Sequence, residues 1–347
     1  MSNQTKLKKT LNILFRIIIV LLTWGYITRQ ILHERENHEL IWVLQDIAGN
    51  SRALMAFILV LVMMVLNWGI ESLKWQFVIG KIEKIPFLRS VQAVLTGVSV
   101  SSFTPNRIGE YFGRAFILDK ASHMEGILIT ILSSMSQLLI TILTGTIAGI
   151  ILIPGFFIPY IHPYSYFYYL IILLLFFLDA LLLLLYFNVP VLITLRDRLL
   201  KGKRMEKVRK FFDVFSKFSF SDLLKLILFS LVRYSVFTIQ YFILLRVFSV
   251  DIPFFNALLF ISLIFLVISV IPTVFLTELG VRDSVALFLF GIYFSKTGAM
   301  TDEARLGILM ASTLLWVINL AIPALIGTFF TLRLKFFRKL NHTDNRS

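Results

Sequence analysis

Cysteine is absent from all 347 residues, so disulfides and thiolate-based metal or redox chemistry are excluded. That absence is neutral about compartment. Charge is also sparse: Asp, Glu, Lys and Arg make up 16% of the chain, against roughly 25% in a soluble domain. Acidic residues are the scarcer sign, 20 against 34 basic ones. Alternating segments of about ten residues, the mark of a membrane β-barrel, appear nowhere. What fills the chain instead is apolar, 58% of positions, where soluble domains hold about 45–50%. Most of this sequence therefore needs lipid as its solvent.

The runs Ala53–Ile70, Gly126–Ile153, Tyr166–Phe187 and Leu306–Leu332 approach or exceed the roughly 20 apolar residues that cross a bilayer core. Leu11–Ile27 follows Lys6, Lys8 and Lys9 and resembles a signal peptide. No A-x-A-like site follows it and Arg16 interrupts it, so it reads as a first membrane helix. The net charge of +14 does not imply nucleic acid, because the bases cluster between helices and no nucleic-acid motif is present. Nine Lys and Arg fall within Arg196–Lys217, interspersed with apolar residues, which suits an amphipathic segment on an anionic leaflet.

Two segments resist treatment as simple spans. Residues 91–118 contain SSFTPNRIGEYFGRAFIL and residues 254–294 contain SVIPTVFLTELGVRDSVALFLFG. Each carries Pro, Gly and charge at mid-segment, and lipid tolerates such backbone only where protein or a water-filled cavity surrounds it. Each is therefore expected to be a re-entrant hairpin of two short helical arms meeting at a buried tip. With a cytoplasmic N-terminus and both hairpins, 23 Lys and Arg face the cytoplasm and five face out, in keeping with the positive-inside tendency. A single span at 91–118 would send the nine-base loop outside.

The resulting order is two helices, a hairpin and a long helix, repeated with opposite orientation. The expected fold is an all-α polytopic membrane protein of about six full transmembrane helices and two hairpins, an inverted repeat of residues 1–160 and 161–347. Ser102, Pro105 and Gly113 recur as Ser269, Pro272 and Gly280 at a constant offset of 167. Each tip also holds a Glu before its Gly (Glu110, Glu278) and an Arg after it (Arg114, Arg282). Inverted repeats built from broken helices frame alternating-access carriers, with the site near the midplane.

Ionisable side chains at membrane depth cost about 2.5–3.5 kcal/mol on insertion scales, so they mark either a pathway or a structural bridge. Arg107, Glu110, Arg114, Asp179, Arg233, Glu278 and Arg282 qualify. Glu110 with Arg114 and Glu278 with Arg282, each at i and i+4, are spaced to neutralise one another. The tip arginines are equally suited to grip a phosphate as bidentate forks, aided by exposed amides near Ile108–Gly109 and Gly280–Val281. Thr130, Ser133, Gln137, Thr141 and Thr144 form a polar stripe that lines a groove or glues helices together. Arg233 and Gln240 make a shorter stripe. Asn67, Glu71 and Lys74 are expected at a solvated cytoplasmic helix end, and Asp179 is expected to pair with Arg233.

Enzyme signatures are weak. His33 and His38 are five apart, about 140° round a helix, where a zinc pair needs four. Gly97–Ser101 lacks the second Gly of a nucleophile elbow. No metal, cofactor or catalytic set is expected.

The segments Thr104–Arg114 (TPNRIGEYFGR) and Thr277–Ser284 (TELGVRDS) resemble the lysylphosphatidylglycerol synthase transmembrane-region family, a flippase-like domain found alone or fused to others. The likeness covers about residues 10–335. It departs at the second tip, where the family commonly has Gly near Thr277 or Glu278 and Glu at the position of Asp283. In fused members this region is associated with moving an aminoacylated phospholipid between leaflets, while a soluble domain performs the synthesis. Since the sequence ends about a dozen residues after the last helix, the expectation is a stand-alone lipid flippase or transporter of the cytoplasmic membrane. Its partners would be phospholipids or polyprenyl-linked lipids, with homo-oligomerisation open, and Arg107, Glu110, Arg114, Glu278, Arg282, Gln137 and Arg233 would bind substrate. A membrane-bound lipid-modifying enzyme and a non-transporting scaffold are the alternatives.

Overall fold

The computed structural model describes residues 49–157, 165–188, 213–273, 275–298 and 300–331. The proposed first helix Leu11–Ile27, both termini and bases 196–212 lie outside them. The described residues form helices α1 (Ser51–Ile79), α2 (Phe87–Ser101), α3 (Gly109–Ala115), α4 (His123–Leu152), α5 (Ser165–Phe187), α6 (Phe220–Val247), α7 (Phe254–Val270), α8 (Phe275–Thr297), α9 (Asp302–Trp316) and α10 (Ile322–Thr331). No strand occurs among them. Five spans among the described residues are long and apolar enough to cross a membrane: α1, α4, α5, α6 and the continuous α9–α10. The chain is a polytopic all-α membrane protein.

Local chemistry sets the helix limits. Asn50 caps α1 by accepting from the Arg52 and Ala53 amides at 3.1 and 3.4 Å. Ser219 and Asp222 form a capping box at the start of α6, and Lys81 Nζ reaches Asp222 Oδ2 at 2.7 Å, tying the end of α1 to the start of α6. Between α9 and α10 the chain widens into a π turn over Val317–Ala321. Pro323 stands four residues after Asn319, offers no N–H to its carbonyl and clashes with it, which accounts for the widening.

Both helical hairpins form, with unequal arms, but their tips are not buried as expected: Pro105, Asn106, Val270, Ile271 and Pro272 are exposed, because the tips border the open cavity described below. In the first, α2 turns back into α3, which has only 7 residues. In the second, α7 turns back into α8, which runs for 23, about 35 Å at 1.5 Å per residue. The second return arm is therefore not short, contrary to expectation. Phe290, Tyr293 and Phe294 are buried in the same apolar core as Phe260 and Ile264 of α7, and this packing continues well past the break.

Contacts between elements come in exchanged pairs. α2 packs on α10 and α7 on α4; α3 packs on α4 and α8 on α9; α1 and α6 pack on each other. Glycine closes both members of the first pair. A Cβ on Gly327 of α10 would overlap the Leu95 carbonyl of α2, and one on Gly145 of α4 would overlap Leu266 of α7. Small residues of this kind let membrane helices approach closely.

Two apolar cores result, one around Trp75, Val94, Leu132 and Trp316 and one around Tyr241, Phe260, Phe290 and Ile308. Met55, Leu174 and Phe176 are 74%, 67% and 64% exposed, which suits a surface facing lipid. Between the two cores runs a polar layer.

Candidate functional site

The first tip is shaped by residues 104–109. The Thr104 hydroxyl accepts from the Gly109 amide at 2.8 Å, and a Cβ on Gly109 would meet the Val100 carbonyl at 2.5 Å and Thr104 Oγ1 at 2.7 Å. Only glycine permits that closure. Asn106 and Arg107 both adopt left-handed backbone, with φ of 49° and 58°. Asn tolerates this conformation, whereas Arg at such an angle is strained, and strain of this sort concentrates at functional sites. The Asn106 amide donates to the carbonyl of Thr273 at 3.0 Å, so the two hairpin tips meet.

A cavity of about 510 Å³ opens where they meet, bounded by α4, α6, both tips and the π turn. Of the seven site residues expected from sequence, five line it: Arg107, Gln137, Arg233, Glu278 and Arg282. Arg282 Nη2 donates to Glu278 Oε1 at 3.2 Å, and Arg107 Nε stands 3.7 Å from Glu278 Oε2. The i,i+4 pair of the second tip is therefore a triad that draws its third member from the first tip. Arg233 Nε donates to Asn67 Oδ1 at 2.9 Å, and its guanidinium lies over the Trp68 ring, 5.3 Å from the centroid.

Glu110 and Arg114 do not line the cavity. Arg114 is buried, bonds Glu71 Oε1 through Nη1 at 2.7 Å and pairs closely with Glu110 through Nη2. The reason is visible in the motifs. Glu110 precedes its Gly by three residues and Glu278 by two, while Arg114 and Arg282 follow theirs by one and two. A one-residue displacement rotates a side chain by about 100° on a helix, so one pair turns inward and the other faces the cavity.

Glu71 is the residue the sequence reading misplaced. Asn67, Glu71 and Lys74 are buried rather than solvated, because α1 continues to Ile79 and carries them into the interior. Lys74 Nζ lies 3.1 Å from Glu71 Oε2 and bonds the Ser133 carbonyl and Ser230 Oγ at 3.3 Å each. Arg233 Nη1 reaches the same Glu71 oxygen at 3.3 Å, linking this cluster to the cavity. Asp179 consequently does not pair with Arg233, and it accepts from Thr146 Oγ1 at 3.5 Å. The apolar stretch around Glu71 and its i, i+4, i+7 spacing with Asn67 and Lys74 was the signal for burial.

The α4 stripe divides. Gln137 and Thr141 line the cavity, while the Thr130 hydroxyl accepts from Trp75 Nε1 at 3.1 Å and Thr144 bonds its own helix. Asn106, Thr273 and Asn319 join the lining without having been singled out. Asn319 sits in the π turn and accepts from Asn67 Nδ2 at 3.3 Å. Among the described residues, no group of three or more His, Cys, Asp or Glu is placed to hold a metal. The segment around His33 and His38 lies outside them.

Several of the cavity's polar atoms have no hydrogen-bond partner among the described residues: Arg107 Nε, Arg282 Nε and Nη1, Trp68 Nε1 and Gln137 Oε1. A buried donor without an acceptor costs about 1–3 kcal/mol, so this arrangement suits a ligand that supplies oxygens. Neither curated proteins nor solved structures match the chain. A family match, however, runs over residues 11–322, most of its length and both tips. This chain belongs to the lysylphosphatidylglycerol synthase TM region family, a membrane protein family with a lipid-related role.

Proposed function

We propose that this protein is a lipid flippase or transporter of the cytoplasmic membrane, moving a lipid headgroup through the cavity between two inverted halves, 1–160 and 161–347. One observation carries the reading: Arg107 and Arg282, from the tips of two different hairpins, converge on Glu278 beside a cavity. Paired broken helices meeting around charge are the usual frame of alternating access. The exchanged contact pairs support two related halves. In this scheme the bond from the Asn106 amide to the Thr273 carbonyl belongs to a closed state, and passage of a headgroup separates the tips. The aromatic wall of Phe237 and Phe265 would follow the acyl chains. The basic segment 196–217 would sit on the anionic cytoplasmic leaflet.

Purified protein in liposomes should expose labelled inner-leaflet lipids to an external quencher faster than protein-free liposomes do. Arg282→Gln should slow that exposure about tenfold, as expected when one charge-assisted hydrogen bond is lost. If a panel of anionic, aminoacylated and polyprenyl-phosphate lipids all moved at the protein-free rate, with and without proton or sodium gradients, the transport reading would fail.

A further inference from the structure

The same cavity carries information about the charge of its ligand, and this inference rests on the transport reading above. Among its described lining residues three are cationic, Arg107, Arg233 and Arg282, and one is anionic, Glu278. Both oxygens of that carboxylate already face guanidinium groups, Arg282 Nη2 at 3.2 Å and Arg107 Nε at 3.7 Å. Glu71, which pairs with the lining Arg233, has Lys74 and Arg114 around it as well. Among the described lining residues no further carboxylate is present for an ammonium group.

What is left over consists mostly of donors. Arg282 Nε and Nη1 and Trp68 Nε1 lack acceptors, and Arg107 Nε has only its 3.7 Å approach to Glu278, against the vacant acceptor Gln137 Oε1 and the Tyr234 hydroxyl, which can donate or accept. Arg282 itself is 6% exposed, so its donors are largely shielded from bulk water. Burying a further cation here would be uncompensated, whereas a phosphate would satisfy two or more guanidinium N–H groups at once.

We infer that the headgroup carries a phosphate whose charge is not offset by an amine: a lipid phosphate rather than an aminoacylated or amine-bearing phospholipid. This narrows the substrate class away from the lysylated lipid after which the family is named. Arg282 takes the phosphate through guanidinium N–H groups that Glu278 leaves unused, Arg107 closes over it from the opposite tip, and Glu278 holds both arginines in place.

Binding, measured apart from transport, tests this. The full chain in detergent would be titrated with short-chain phosphatidic acid, phosphatidylethanolamine and lysylphosphatidylglycerol, and with inorganic phosphate, each affinity being read from the shift in thermal unfolding. Phosphatidic acid should bind at least about tenfold more tightly than either amine-bearing lipid, a difference equal to one charge-assisted hydrogen bond. Arg282→Gln should erase that preference. Arg107→Gln, at a more exposed guanidinium, should reduce it and serves as the second variant should the first not fold. Equal or tighter binding of lysylphosphatidylglycerol would overturn the charge assignment while leaving lipid transport standing. Inorganic phosphate binding as tightly as phosphatidic acid would overturn the assignment of a lipid. If no lipid shifts the transition, the transport reading falls together with this one.

Discussion

Glu71 accepts ion pairs from Lys74, Arg114 and Arg233, and with Glu110 it forms a buried network of three cations and two carboxylates. Removing one member of such a network strands the others, at about 3–5 kcal/mol. Arg114→Ala, which leaves both Glu71 and Glu110 without their shared guanidinium, should therefore sharply lower the yield of monodisperse protein and its thermal midpoint. The double change Glu110→Ala with Arg114→Ala should recover part of the loss, since Glu71 keeps Lys74 and Arg233. An Arg114→Ala protein as stable as the parent would sink this account. The network was only partly legible in the sequence: i and i+4 spacing gives the Glu110–Arg114 pair, but no local pattern says that α1 delivers Glu71 to it.

Beyond the end of the α1 span, Glu83 makes a different kind of contact. Its carboxylate accepts from the amides of Asp119, Lys120 and Ala121 at 3.1, 2.8 and 2.8 Å, joining the α1–α2 loop to the turn before α4. Burial pushes its pKa up, but the three amides and nearby Arg89 outweigh it and hold the carboxyl below its ordinary value of 4.5. A depressed carboxylate contributes stability that is present above 4.5 and is lost as the pH falls through the lowered value. Glu83→Gln should lower thermal stability at neutral pH by about 1–3 kcal/mol, and the gap to the parent should narrow progressively below pH 4.5. A gap that stayed constant down to strongly acidic pH would show that the charge is irrelevant.

At the scale of elements, the broken helices were legible because Pro, Gly and charge cannot lie in lipid unaided, and SSFTPNR and SVIPT announce both breaks. The length of α8 was not, because the charges at Glu278, Arg282 and Asp283 mask a helix that continues in apolar residues to Thr297. Glycine positions now sort by what they touch. A Cβ on Gly113 of α3 would meet Gly97 Cα of α2 at 2.8 Å, whereas at Gly291 of α8 nothing lies within 4 Å. Gly113→Ala should therefore disrupt the first hairpin and lower the amount of folded protein. Gly291→Ala should be neutral or stabilising, because Ala is about 1 kcal/mol better than Gly inside a helix. Equal behaviour of the two variants in a size-exclusion and thermal-melt comparison would contradict the packing described for α2 and α3.

For the whole molecule, the proposed inverted repeat rests on the constant offset of 167 together with the distribution of positive charge. What no periodicity encodes is that the two tips touch, since that contact joins residues 106 and 273 through backbone alone. If the tips form the gate of an alternating-access cycle, tying them together must stop transport without disturbing the fold. The native chain has no cysteine, so Asn106→Cys with Thr273→Cys introduces a single pair at neighbouring backbone positions, with no competing thiol. Oxidation should produce an intramolecular disulfide in the membrane-embedded protein, and lipid movement in liposomes should fall to the protein-free rate. Reductant should restore it, which separates a locked gate from a damaged one. Each single-Cys variant should transport at a rate that oxidant and reductant leave unchanged, which separates the crosslink from the effect of replacing Asn106 or Thr273 in the cavity lining. Undiminished transport by the fully crosslinked protein would mean that the tips do not separate during the cycle, and the headgroup path would then have to run along one side of the joined tips rather than between them.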